Sequence, residues 1–133
     1  MSVSIDSRVH RTLKDLPRYR DVNGVGGSVS SIKRLKLGAG ENPIGVYDNH
    51  TGSMQERILI TNKGVYIYRE NGWDSIRYEE IDSVGTPESK DVEGLTVRFV
   101  DGSSTEIPVR GKRGKFRDAF EFLRFLNRVA VDQ

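Results

Sequence analysis

Residues 56–78 read ERILITNKGVYIYRENGWDSIRY, and the turn residues inside this stretch decide the fold class. Glu56 to Thr61 and Val65 to Arg69 are short runs rich in β-branched and aromatic residues, and the turn tripeptide Asn62-Lys63-Gly64 separates them. Asn71-Gly72 comes next, and Trp73 to Tyr78 follows it. An Asn-Gly pair between two such runs is a strong hairpin signal, because both central positions of a type I′ turn need positive φ. The stretch therefore predicts three antiparallel strands in sequence order.

The same grammar extends in both directions. Upstream, Ile44 to Asp48 is a first strand; downstream, Ile81 to Gly85 is a short fifth one, and the acidic, proline-containing segment 86–93 is a loop. Leu95, Val97 and Phe99 alternate with Thr96 and Arg98, the period of a strand with one buried face. Asp101-Gly102 supplies a further hairpin turn, after which Thr105, Ile107 and Val109 alternate with polar residues. Pro108 has no N–H to give to a ladder, which predicts an edge strand or a bulge there. Lys115 to Val129 then carries apolar residues at helical spacing. Seven short strands closed by one apolar helix predict a mainly β fold with some α: a small antiparallel sandwich or half-open barrel, plugged by the C-terminal helix.

The N-terminal residues have a different character. Val9, Leu13 and Leu16 recur at helical spacing between Arg8, Arg11 and Lys14, predicting a short amphipathic helix that starts near Asp6 or Ser7 and stops before Pro17. Asn23 to Ser31 has the composition of a linker, and Ile32, Leu35 and Leu37 suit one further helical turn. This predicts an appendage over 1–31, helix and Gly/Ser-rich linker, attached to a domain over 32–133.

At 133 residues the chain suffices for one ordinary domain and an extension. It has 35% apolar and 30% charged residues, and no run approaches the roughly 20 apolar residues of a membrane-spanning helix. There is no cysteine and no apolar core of a secretory signal at the start, so a cytoplasmic protein is expected. The net charge of +2 divides unevenly into +5 over 1–36, −7 over 37–109 and +4 over 110–133. Such segregation lets the basic ends attract the acidic middle, of the same chain or of a second copy; solvated charges without a partner are the plainer alternative.

The stretches GAGENPIGVYDN, RILITNKGVYIY, the NG turn, SIRYEEIDSV, LTVRFVDGSSTEIPV and the Phe/Leu-rich helix, in this order and spacing over 32–131, resemble a bacterial pleckstrin-homology-like domain of the GRAM-related kind. The resemblance implies two nearly orthogonal sheets with a helix capping one open end, and it adds homo-oligomers as an expectation. It implies no single ligand, because this fold hosts lipid binders, peptide binders and assembly modules. In its inositide-binding members the first inter-strand loop carries several Lys and Arg residues. Here that loop, 49–55, has none, so the usual inositide contacts are not expected in it.

Motifs for catalysis are not found in the sequence. His10 and His50 lack acidic or cysteine companions at ligand spacing, so no metal or other cofactor is expected. Glu79 and Glu80 are adjacent and point to opposite faces if on a strand. The GVGGSV segment lacks the third glycine of a dinucleotide fingerprint, and no nucleophile-elbow sequence occurs. A nucleic-acid partner is not expected, since the strand-region tyrosines lie in the acidic segment. The protein is therefore read as a binding module rather than an enzyme.

Two surfaces carry that reading. On the C-terminal helix Phe116, Ala119, Phe120, Leu123, Leu126 and Ala130 form one face, expected to be core. Phe122, Phe125 and Val129 widen the apolar arc to about 220°, beyond the stripe of roughly 100° that one core contact uses. Either the N-terminal helix of the same molecule, through Val9, Leu13 and Leu16, or a second subunit or partner covers the excess. The other surface is RGKRGKFR, where Arg110, Lys112, Arg113, Lys115 and Arg117 precede a helix start without a capping side chain, a candidate site for phosphate, acidic lipid or carboxylates. A solvated loop, or one paired with Glu79, Glu80, Asp82, Glu88, Asp91 and Glu93, is the alternative. The expected function is protein–protein contact including self-association. Peripheral binding to an anionic membrane surface is a second reading, and an inhibitor or immunity-type protein entering a basic partner site a third.

Overall fold

The structure is a computed structural model, and it describes residues 5–13, 16, 18–21, 39–50, 55–70, 72–86, 94–109 and 117–132. The elements are α1 (Ile5–Thr12), β1 (Tyr19–Asp21), β2 (Pro43–Tyr47), β3 (Ile58–Thr61), β4 (Gly64–Arg69), β5 (Gly72–Arg77), a 3-10 turn (Tyr78–Glu80), β6 (Ile81–Gly85), β7 (Gly94–Phe99), β8 (Ser104–Pro108) and α2 (Arg117–Asp132). The strands make two antiparallel sheets, one ordered β1-β2-β3-β4-β5 and one β6-β7-β8. The mainly β architecture with a closing C-terminal helix is thus present. The linker 23–31 and the turn expected over 32–37 lie outside the described residues.

Turn chemistry sets the strand pairing. Gly72 has φ 123°, a value that glycine alone adopts without strain, and it pairs with Arg69 at the head of the β4–β5 hairpin. Between β3 and β4 the Thr61 hydroxyl accepts hydrogen bonds from the Lys63 and Gly64 N–H groups (3.1 and 3.0 Å), fixing the turn through a side chain. Pro108 ends β8, an edge strand of its sheet, as its missing donor requires.

Alternation along the strands builds one core between the sheets. Tyr47, Ile58, Ile60, Val65, Ile67 and Ile76 of the larger sheet join Ile81, Leu95, Val97 and Ile107 of the smaller, and α2 adds Phe122, Phe125, Leu126 and Val129. The opposite face of the larger sheet carries a second cluster, Val46, Leu59 and Tyr66, with Trp73 packed against it.

One expectation is corrected. Among the described residues there are eight strands rather than seven, because Tyr19–Asp21 pairs with the β2 edge, Tyr19 opposite Tyr47. Val9, Leu13, Leu16 and Tyr19 are buried in the same core as both sheets. Four buried apolar side chains, at about 1.5–3 kcal/mol each, outweigh the ordering of so short a segment only because they join an existing core.

Candidate functional site

α2 is where the sequence placed most of the function, and its rotation about its axis decides which side chains are available. The first turn fixes that rotation. Asp118 is buried, and its carboxylate accepts a 2.5 Å hydrogen bond from the Tyr47 hydroxyl of β2. Phe122 stands one turn later with its ring edge-on to Tyr47, centroids 5.0 Å apart, and Phe125 meets Tyr78 in the same way at 5.9 Å. Such edge-to-face pairs are worth about 0.5–1.5 kcal/mol beyond their burial.

This rotation reverses part of the expected pattern. Phe122, Phe125 and Val129, read as the flank meeting a partner, are fully buried, and Val9 and Leu13 of α1 are buried with them in one cluster. The structure brings these five residues together inside the molecule, so the alternative it selects is cover by the chain's own N-terminal helix. Phe120, read as core, is instead 57% exposed, and Leu123 and Ala130 are only partly buried. The outward face of α2 holds Phe120, Arg124, Asn127, Arg128 and Val131, the last 84% exposed. Arg124 lies 3.1 Å from Glu121 of its own helix, a surface pair of small energetic consequence.

Of the basic loop, Arg110, Lys112, Arg113 and Lys115 lie outside the described residues, as does the side chain of Arg117. What is described is the helix that follows. Asp118 brings a carboxylate to the first turn of α2, where the helix dipole favours negative charge. Of the acidic residues expected to pair with the loop, Glu79, Glu80 and Asp82 are exposed, while Glu88, Asp91 and Glu93 lie outside the described residues.

A polar cluster missed by sequence reasoning lies at the end of β2. Asp48 accepts from Arg57 Nε at 2.6 Å and from Arg20, and Arg18 donates to the Asn49 carbonyl. Asn49 is buried and donates to the carbonyl oxygens of Glu56 (2.6 Å) and Pro108 (2.8 Å), tying β2, β3 and β8 together. His50 Nε2 lies 2.7 Å from Glu56 Oε1, with Glu56 at φ 58°. No local pattern signals this cluster. Arg18 and Arg20 reach it only because β1 pairs with β2, about thirty positions away in sequence. Three guanidinium groups converge here, each with an oxygen of the protein, so the arrangement clamps strand ends.

The buried Glu41 forms a second network. Its carboxylate accepts from Thr61 Oγ1 (2.7 Å) and from the Tyr66 hydroxyl (2.9 Å to each oxygen), and lies 3.2 Å from Arg77 Nη1. Burial and the Glu41 carboxylate both push the Tyr66 hydroxyl pKa up. Tyr66 and Tyr68 lie on the outer face of the larger sheet, where Tyr68 meets Trp73 edge-on at 5.2 Å. Near the β4–β5 turn, Gln55, Glu56, Arg69, Glu70, Gly72, Trp73 and Asp74 line an open cleft of about 530 Å³. Arg69 crosses to Asp74 at 2.6 Å and donates to the Glu106 carbonyl at 2.9 Å, so its charge is already engaged.

Among the described residues no group of three or more His, Cys, Asp or Glu side chains is placed to hold a metal ion. Among them, too, no helix is long and apolar enough to cross a membrane. No protein-family model, curated protein or solved structure matches the chain.

Proposed function

We propose that this protein is a non-enzymatic, cytoplasmic binding module of the pleckstrin-homology-like, GRAM-related type, working through protein contacts that include self-association. The fold reading rests on order and closure. Strands β2 to β5 run as one meander, β6 to β8 as another, and the helix that follows fills the core with Phe122, Phe125, Leu126 and Val129. The observation that carries the binding reading is the outward face of α2, where Phe120 and Val131 are exposed beside Arg124 and Arg128. Isolated exposed apolar residues are ordinary on a surface. Two on one face of one helix, rimmed by arginines, suit a contact with a protein surface of opposite charge.

Phosphate or anionic-lipid binding through the loop Arg110 to Arg117 is the weaker reading. Asp118 puts a carboxylate in the first turn of the helix that follows this loop.

Light scattering on the wild type and on Phe120→Asp tests the proposal. A mass that rises with concentration in the wild type, and not in the variant, is the expected result. A monomeric wild type at every concentration removes self-association.

A further inference from the structure

The outward face of α2 has a complement on the same molecule. Where the 3-10 turn Tyr78–Glu80 meets the β7–β8 turn, the Val100 N–H donates to the Glu80 carbonyl at 3.0 Å. This bond sets Val100, 67% exposed, beside the exposed Glu79 and Glu80, and Asp101 follows it in the chain. Asp101 is ionised at neutral pH, since hydrogen bonds from Ser103 hold its carboxyl below the usual value. Phe120, Val131 and Val100 are the large apolar side chains exposed among the described residues. The first two have arginines beside them and the third has carboxylates.

α2 is held by its inner face, with Phe125 edge-on to Tyr78 of the same 3-10 turn, and Phe120, Arg124 and Arg128 are left exposed. Building on the self-association reading above, we propose that the outward face of α2 in one copy docks on the Val100 corner of a second copy. Phe120 and Val131 would cover Val100 while Arg124 and Arg128 face Glu79, Glu80 and Asp101. The two surfaces differ, so the contact is heterologous, and a docked pair keeps one surface of each kind free, the corner of one copy and the helix face of the other, until the assembly closes. An anionic membrane would use the arginine face alone and leave the acidic corner idle.

Charge reversal on the full chain tests this. Sedimentation is measured for the wild type, for R124E/R128E, for E79K/E80K and for an equimolar mixture of the two variants. Salt is set at about 0.1 M and about 1 M, between which the screening length falls from about 10 Å to about 3 Å. Association of the wild type that weakens with salt is expected, with a loss of tenfold or more in each variant alone and recovery in the mixture. Every substituted side chain is exposed, and circular dichroism checks that the variants fold; if a double variant does not, R128E and E79K carry the same expectations. An associating wild type with unaffected variants, or a mixture that stays monomeric, overturns this pairing of surfaces and leaves self-association standing. A wild type that never associates overturns both. Flotation with phosphatidylserine vesicles that is lost in R124E/R128E but kept in E79K/E80K, without self-association, assigns the helix face to a membrane instead.

Discussion

The Tyr47 hydroxyl donates a 2.5 Å hydrogen bond to the buried carboxylate of Asp118, joining β2 to the first turn of α2 across 71 residues of sequence. The bond does two things. It gives a buried acidic group a donor, and it sets the rotation of α2 that turns Phe122 and Phe125 inward and Phe120 outward. Tyr47→Phe keeps the ring and its contact with Phe122 but strips the carboxylate of this donor. A loss of about 1–3 kcal/mol is expected, the cost of leaving a buried polar group short of a partner. Urea unfolding checks it, and a change below about 0.5 kcal/mol would mean that aromatic packing alone orients the helix.

The two faces of α2 give the sharpest contrast. Phe125→Ala empties a fully buried site against Tyr78 and should cost about 3–5 kcal/mol. Phe120→Ala, on the exposed side, should stay within about 0.5 kcal/mol of the wild type. Thermal unfolding of both variants is enough. Similar losses for the two would place Phe120 in the core and discard the rotation described here.

Tyr19 packs over Gly45. A Cβ at position 45 would stand 2.1 Å from the Tyr19 hydroxyl oxygen and 2.4 Å from the ring carbon that bears it. Gly45→Ala therefore forces the ring off the sheet and loosens β1, at about 1–3 kcal/mol for overpacking. The clash requires Tyr19, so Tyr19→Ala should remove most of the further cost of Gly45→Ala. A double-mutant cycle checks this coupling, and additive losses would show that the penalty comes from the backbone of β2 rather than from the ring.

How much of this was legible beforehand follows from the range of the forces involved. Strand order and turns were readable because Asn71-Gly72, Asp101-Gly102 and the alternation of Leu95, Val97 and Phe99 act within a few residues. The edge position of Pro108 was readable for the same reason: its missing N–H is a local fact. The rotation of α2 was not, because an apolar arc of about 220° has no single centre, and the deciding contacts, Tyr47 with Asp118 and Tyr78 with Phe125, join distant segments. β1 was invisible because three residues, Tyr19-Arg20-Asp21, show no period, and the Gly/Ser-rich stretch after them suggests separation. The candidate surface inherits the first of these gaps. Its arginines were counted within a basic C-terminal segment, while Phe120 was assigned to the core.

Alkaline pH should destabilise the fold through Tyr78. Its hydroxyl is buried and donates to the Thr61 carbonyl at 2.8 Å. Burial, with the negative charge of Glu41 nearby, raises its pKa well above the ordinary 10.0. The group is neutral when protonated, and the folded state holds the proton more tightly than the unfolded chain. Below pH 10 both states keep it, and the contribution is fully present. Above pH 10 the unfolded chain ionises first, so stability falls as pH rises toward the folded-state pKa. Tyr66, raised for similar reasons, adds to the same slope. Urea midpoints measured from pH 8 to pH 11 should decline only above about pH 10. Tyr78→Phe should flatten that decline while lowering stability at pH 8 by about 0.5–1.5 kcal/mol, the ordinary worth of the lost hydrogen bond. A decline of equal steepness in the variant would assign it to other groups and leave Tyr78 a purely structural role.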